Sequence, residues 1–116
     1  ISDIFYKLSI NKLLGIILSC VSPENFELNL DEIKALNIPF GFKLNGYLKT
    51  EPFPRVNQIK KDNSYLQPTQ FLGKRKDLDP KKMLEFAKKF SSEGATILGG
   101  CCETGPSHIK AFSLLK

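Results

Sequence analysis

The chain has 116 residues, of which 41% are hydrophobic and 25% are charged, values typical of one ordinary globular domain. Its apolar runs are shorter than the roughly 20 residues that a membrane span needs, so we expect no membrane partner. The net charge of +5 raises the question of nucleic acid. Most of the 17 Lys and Arg residues lie in a loop and on the polar face of a helix, without interleaved aromatic residues. We therefore expect a solvated surface and no nucleic-acid partner.

The sequence contains three cysteines, Cys20, Cys101 and Cys102. An odd number argues against a framework of disulfide bonds and favours a reducing compartment, so we expect a cytoplasmic protein. The first residue is Ile1, inside a stretch with helical spacing, and we expect the natural start of the protein to lie upstream.

The first half of the chain alternates between helical and strand patterns. Apolar spacing predicts a helix over Ile1–Asn11, and the apolar run Leu13–Ser19 predicts a parallel strand buried on both faces. A polar cap and a first-turn proline predict a helix over Pro23–Leu36, irregular near Asn29. The second predicted strand is Pro39–Asn45, which ends in a turn signal.

The second half of the chain opens with Tyr47–Leu78, which has little periodicity and predicts a long loop with a short helix. Pro80 begins the clearest helix of the chain, and Gly94 ends it. The third predicted strand is Ala95–Leu98, and a last helix begins at Pro106 and runs past the final phenylalanine.

Strands that alternate with helices predict an α/β fold with a parallel sheet. A candidate site residue stands at the C-terminal end of each predicted strand: Cys20, then Asn45, then the pair Cys101 and Cys102. Sites at the C-terminal ends of parallel strands are typical of TIM (β/α)8 barrels and of doubly wound sheets. Because a barrel needs eight strands and roughly 250 residues, we expect this chain to be the C-terminal three βα units of one.

The strongest chemical signal is Gly99–Pro106, with the sequence Gly-Gly-Cys-Cys-Glu-Thr-Gly-Pro. Adjacent side chains on a regular strand point to opposite faces, so a flat strand cannot aim both thiols at one point. We expect Gly99 and Gly100 to adopt backbone angles that other residues avoid and so to turn both sulfurs to one side. The alternative, two small buried apolar residues, gives no reason for the motif as a unit.

Three thiolates from two strand ends suit zinc with an open fourth position for water or substrate. The only histidine, His108, stands at the start of the last helix, and we expect it not to be the fourth ligand. Sulfur ligands suit a soft fourth ligand such as a thiolate, and a substrate thiol bound there would have a lowered pKa. This chemistry fits alkyl transfer to sulfur.

The segment Gly99–Ile109 closely resembles the C-terminal zinc motif of the homocysteine S-methyltransferase family. Leu72–Pro80 resembles the stretch before that motif, and Leu18–Pro23 resembles the strand that carries the family's first zinc cysteine. The residue before that cysteine is commonly Asn in the family, whereas this chain has Ser19. The turn Asn45–Gly46 matches the family's asparagine turn, which implies a role for both residues in substrate binding.

The resemblance implies that residues 1–116 are the C-terminal part of a homocysteine-binding TIM-barrel domain, in which Cys20, Cys101 and Cys102 hold zinc. It implies a methyltransferase that moves a methyl group from a small-molecule donor to the homocysteine thiol and so makes methionine. The family's acidic residues for the substrate ammonium group belong to upstream strands, so we expect this fragment alone to be inactive.

Two other functions stay open beside the enzyme. In the first, Cys101 and Cys102 exchange a disulfide, although a vicinal disulfide is strained and the typical redox motif is Cys-x-x-Cys. In the second, a non-catalytic zinc-binding barrel has a regulatory or interaction role. The methyl donor is open among S-methylmethionine, S-adenosylmethionine, a betaine and a folate-derived methyl group.

Overall fold

The computed structural model of the protein describes residues 13–50 and 68–115, so the predicted helix Ile1–Asn11 lies outside the described residues. The described part forms three strands and five helices, followed by a 3-10 turn at Ser113–Leu115. In chain order these are β1 (Ile16–Val21), α1 (Pro23–Leu28), α2 (Leu30–Lys34), β2 (Phe40–Leu44), α3 (Pro68–Leu72), α4 (Pro80–Ser92), β3 (Ile97–Gly100) and α5 (Pro106–Phe112). None of these helices is long and apolar enough to cross a bilayer.

The three strands form one parallel sheet in the order β1–β2–β3, which confirms the predicted α/β class with a parallel sheet. All three strands differ from the predicted bounds, β2 (Phe40–Leu44) by only one residue at each end. β1 begins at Ile16, whose N–H donates to the carbonyl of Pro39 at 2.9 Å, because the residues before it have no partner strand within the described part. β3 runs on through both glycines to Gly100, which pairs with Leu44.

The helix predicted over Pro23–Leu36 is divided at Asn29, where irregularity was expected. The Asn29 side-chain amide donates to the carbonyl of Asn25 at 2.7 Å, and the backbone of Asn29 leaves the helical region. Asp79 caps α4 by accepting from the N–H of Lys82, as its place before Pro80 predicts.

The core lies between one face of the sheet and the helices. Phe42, at the centre of β2, is fully buried, and its ring faces Phe26 of α1, Phe90 of α4 and Phe112 of α5 at centroid distances of 5.3, 5.6 and 6.2 Å. The three helices therefore cover the same face. On the edge strands, Ile17 and Ile97 are 45% and 37% exposed. The prediction that the first strand is buried on both faces is therefore wrong for β1, because the helices cover only the face that carries Phe42.

Replacing Phe42 with Ala should lower the free energy of unfolding by about 3–5 kcal/mol, since the cavity would lie among three helices and the sheet. Urea unfolding followed by circular dichroism measures the change. Leu14, which is 93% exposed, supplies the matched control, and Leu14→Ala should change stability by less than about 0.5 kcal/mol. Equal stability of the two variants would show that Phe42 is not the centre of the core.

Candidate metal centre

The ends of the three strands are joined by backbone hydrogen bonds that continue past the ladder. The N–H of Asn45 donates to the carbonyl of Val21 at 2.9 Å, and the N–H of Cys101 donates to the carbonyl of Leu44 at 2.7 Å. These bonds bring the residues after β1, β2 and β3 to one edge of the sheet, as parallel strands predict.

Three thiols meet at this edge. The sulfur of Cys102 lies 3.6 Å from that of Cys20 and 3.9 Å from that of Cys101, and all three lie within 4.8 Å of one another. They are free cysteines, and among the described residues they are the one group of three His, Cys, Asp or Glu side chains close enough to hold a metal ion. The structure thus assembles the three cysteines that the sequence singles out.

Cys20 reaches the group because β1 contains a bulge. Ser19 pairs with Lys43 and Val21 pairs with Leu44, which leaves Cys20 as an extra residue without a partner on β2. Its φ of 56° lies in the left-handed region, an uncommon conformation for a residue with a side chain. A bulge interrupts the alternation of faces and redirects a side chain. Val21 accordingly packs against the core, and the thiol of Cys20 faces the other two sulfurs.

Cys101 and Cys102 lie in a tight turn, Cys101–Thr104, which we call the cysteine turn. The N–H of Thr104 donates to the carbonyl of Cys101 at 3.2 Å, and its hydroxyl donates to the same oxygen at 2.5 Å. Glu103 has a φ of 63°, the left-handed conformation that reverses the chain. The turn ends the strand geometry, so that both sulfurs face the same side.

The expectation that the two glycines supply unusual backbone angles is wrong, because neither Gly99 nor Gly100 has a positive φ. The left-handed residue is Glu103 instead. Close approach requires glycine at Gly100, whereas the contact at Gly99 is tight but involves a flexible side chain. A Cβ on Gly100 would overlap the hydroxyl of Thr104, and a Cβ on Gly99 would lie 3.3 Å from the Cγ of Lys43.

Asn45 and Gly46 lie directly beside the thiols and hold the two cysteine segments. The buried Asn45 amide donates to the carbonyl of Cys20 at 2.6 Å, and its oxygen accepts from the N–H of Tyr47 at 3.1 Å. The N–H of Gly46 donates to the carbonyl of Cys102 at 2.9 Å. Their role in substrate binding stays a prediction.

His108 uses both ring nitrogens in contacts that stabilise the fold. Nδ1 accepts from the N–H of Gly105 at 3.1 Å, so Nε2 carries the proton and donates to the carbonyl of Leu78 at 3.1 Å. The side chain caps α5 and links it to the residues before α4, and it lies outside the thiol group. This position agrees with the expectation of a residue at the helix start.

The thiols of Cys20 and Cys101 differ in acidity because they share hydrogen bonds within the group. Burial, together with the hydrogen bonds of its neutral thiol to Cys101 and Cys102, raises the pKa of Cys20 to about 11. Burial also opposes ionisation of Cys101, but hydrogen bonds from the Cys20 thiol and the Cys102 backbone outweigh it and lower the pKa. Of these two thiols, Cys101 therefore ionises before Cys20 in the metal-free protein.

Two residues near the thiols, Tyr47 and Glu103, were not predicted from the sequence. The hydroxyl of Tyr47 hydrogen-bonds Cys102, and this bond, with burial, raises the pKa of Tyr47 well above its ordinary value. Glu103 contacts Thr69 and Lys74, more than 25 residues earlier in the chain. The sequence offers a signal for Glu103 only: a charged residue stands directly after the cysteine pair, where packing alone would favour a small side chain.

A cleft of about 270 Å³ opens next to Cys20 at the end of β1. Most of its walls are neutral groups that form hydrogen bonds, and the lining residues are Leu18, Ser19, Cys20, Val21, Ser22, Asn25, Asn45 and Thr50. The cleft therefore places a small polar binding space against one of the three sulfurs.

In the metal-free protein, iodoacetamide should label Cys101 well before Cys20. Alkylation requires the thiolate, and near neutral pH the lowered pKa of Cys101 favours it while Cys20 stays protonated. Pulse labelling followed by peptide mass spectrometry measures the order. Labelling of Cys20 should rise only as the pH approaches about 11. Faster labelling of Cys20 near neutral pH would contradict the assigned order of ionisation.

Comparison with known proteins bears on this group of thiols. No curated protein sequence matches the chain with significance. The family described as Homocysteine S-methyltransferase matches residues 1–114, nearly the whole sequence and all three cysteines. That match agrees with the resemblance of the Gly99–Ile109 motif. The chain therefore belongs to the homocysteine S-methyltransferase family.

Proposed function

We propose that the protein is a zinc-dependent methyltransferase that transfers a methyl group to the thiol of homocysteine and yields methionine. The observation that carries the proposal is the group of three thiols at one edge of the sheet, in a chain of this family. The partners are homocysteine and a small-molecule methyl donor. The free thiols suit a reducing compartment such as the cytoplasm.

The donor set fits zinc in both chemistry and spacing. Two thiolates at 2.3 Å from a tetrahedral zinc ion are about 3.8 Å apart. Two of the sulfur separations, 3.6 and 3.9 Å, lie close to this value, and all three sulfurs lie within 4.8 Å of one another. Zinc held by three thiolates would keep one position open and lower the pKa of a substrate thiol placed there, as catalytic zinc does for water.

The residues around the thiols would hold the ligands and receive the substrate. Asn45 fixes the backbone of Cys20 through its amide, and Tyr47 hydrogen-bonds Cys102. Such outer contacts orient metal ligands. The cleft beside Cys20 is smaller than the roughly 300–1,000 Å³ sites of drug-sized ligands, and its hydroxyl and amide groups suit the polar end of an amino acid.

The reaction is a displacement at carbon. The homocysteine thiol loses its proton to solvent, and its sulfur forms a bond to the methyl carbon while the bond between that carbon and the donor breaks. The electron pair of the broken bond leaves with the donor. The protein holds the sulfur near the sheet edge and so converts a bimolecular encounter into a positioned reaction.

We further propose that these βα units belong to a TIM barrel, as its C-terminal part. A doubly wound sheet has helices on both faces, whereas a barrel has them all on the outside. Here Phe42 contacts helices on one face, and Ile17 and Ile97 on the edge strands are partly exposed. Additional strands would cover both edges and supply the groups that bind the substrate ammonium.

In the complete protein, replacing Cys20, Cys101 or Cys102 with Ser should weaken zinc binding by more than roughly 100-fold, beyond the loss typical of an outer-shell partner. Zinc content after dialysis against a chelator measures the effect. His108→Gln is the matched control and should keep one zinc per chain, because His108 lies outside the thiol group. A Cys20→Ser variant that retained zinc and turnover would remove Cys20 from the site.

Adding homocysteine to the zinc-loaded complete protein should release close to one proton per site near neutral pH. The free thiol is mostly protonated there, and it would bind as the thiolate. Calorimetry in two buffers of different ionisation enthalpy measures the release. Homoserine, which carries oxygen in place of sulfur, is the control and should release none. Methionine formation without proton release would assign thiol activation to another group.

A further inference from the structure

The residues 68–75 run beside the chain that follows β2. Hydrogen bonds between backbones join the two stretches at three places. They are Leu48 N–H to Gly73 at 3.0 Å, Lys49 N–H to Leu72 at 2.9 Å, and Arg75 N–H to Gly46 at 2.9 Å. The 68–75 segment, which includes α3, is thereby held next to the residues that contact the thiols.

A single side chain links this segment to the cysteine turn. The carboxylate of Glu103 accepts a hydrogen bond from the hydroxyl of Thr69, and its second oxygen lies 3.2 Å from the ammonium of Lys74. The Glu103 side chain is only 15% exposed, although it is charged. The hydrogen bond from Thr69, opposed by burial and assisted by Lys74, lowers the pKa of Glu103, so the carboxylate is ionised at neutral pH.

The backbone at the same residue is in a conformation that disfavours a side chain. The φ of Glu103 is 63°, and left-handed angles crowd a Cβ against the neighbouring carbonyl. The Cβ of Glu103 lies against Gly46, where an added Cβ would be only 3.2 Å away, so this contact needs glycine at position 46. Glycine at position 103 would adopt the left-handed φ without penalty. A glutamate here is therefore explained by what its carboxylate contacts.

From these contacts we infer that Glu103 is a positioning residue: its carboxylate holds the left-handed backbone of the cysteine turn and couples the 68–75 segment to the thiols. The two anchors, Thr69 and Lys74, offset the backbone cost that the side chain imposes. Removing the carboxylate while keeping the Cβ should therefore make the 68–75 segment more mobile. It should also make the orientation of the Cys101 and Cys102 thiols less fixed. The expected effect on metal affinity rests on the proposed zinc site, whereas the expected effect on the mobility of the 68–75 segment does not.

The test compares substitutions at Glu103 in the complete protein, with Zn²⁺ alone as the probe. Glu103→Ala removes the anchors and keeps a Cβ, so Zn²⁺ affinity should fall roughly tenfold. Exchange of the Gly73 amide, which donates to Thr69 at 2.8 Å, should become roughly tenfold faster. Glu103→Gly removes both the anchors and the Cβ, so affinity should stay within about threefold while exchange stays fast.

Glu85→Gln is the matched control, since Glu85 forms a 2.8 Å ion pair with Lys82 on the exposed face of α4. It should change neither the affinity nor the exchange. The inference is overturned if Glu103→Ala equals this control in both measurements, or if Glu103→Gly loses as much zinc as Glu103→Ala. Should Glu103→Ala fail to fold, parent-like exchange in Glu103→Gly would overturn it. If the parent protein binds no zinc, the proposed function fails, while the exchange measurement still decides the coupling.

Discussion

The extra residue in β1 is the constraint on which the thiol group depends. Without the bulge, Cys20 would occupy the register position that pairs with Leu44, on the face that packs against the helices. The left-handed backbone of Cys20 moves its thiol out of that pattern, and Val21 takes the vacated place in the core. Core packing and site geometry are thus set by the same irregularity, because a shift of one residue exchanges the two faces of a strand.

The second irregularity, at Glu103, has the same character. Both Cys20 and Glu103 are residues with side chains in the left-handed region, and each lies within or next to the thiol group. Strained backbone persists where surrounding contacts determine it, and it is commonly found at functional sites. Here the surrounding contacts are the Asn45 amide on the carbonyl of Cys20 and the anchors of the Glu103 carboxylate.

Local patterns in the sequence predicted most of the fold. Caps and prolines predicted the starts of α4 and α5, and short apolar runs predicted the strands. Because the C-terminal ends of parallel strands lie at one edge of a sheet, Cys20 and Cys102 were expected close together, as the structure has them. The sequence pattern did not predict the features that depend on which residues of two neighbouring strands pair. The start of β1 depends on where β2 offers a partner, and a bulge becomes visible only when two registers are compared.

The cysteine turn shows a different kind of failure. Glycine was expected to supply a rare φ, yet its use at Gly100 is to leave room for the Thr104 hydroxyl. A rare φ and a close approach both require the absence of a Cβ, and the sequence alone does not distinguish these two uses of glycine. The contacts of Glu103 could likewise not be predicted from the sequence. Thr69 and Lys74 lie more than 25 positions before Glu103, in a region whose sequence shows little periodicity.

The all-sulfur composition of the group has a consequence for metal discrimination. The single imidazole is engaged by Gly105 and Leu78, and among the described residues no carboxylate or imidazole joins the three sulfurs. Thiolates are soft donors that also accept copper(I), and an oxygen or nitrogen ligand would have biased the set toward harder ions. If the group holds zinc as proposed, discrimination against copper would therefore come from the geometry that the left-handed backbones of Cys20 and Glu103 impose and from the supply of free metal in the cell.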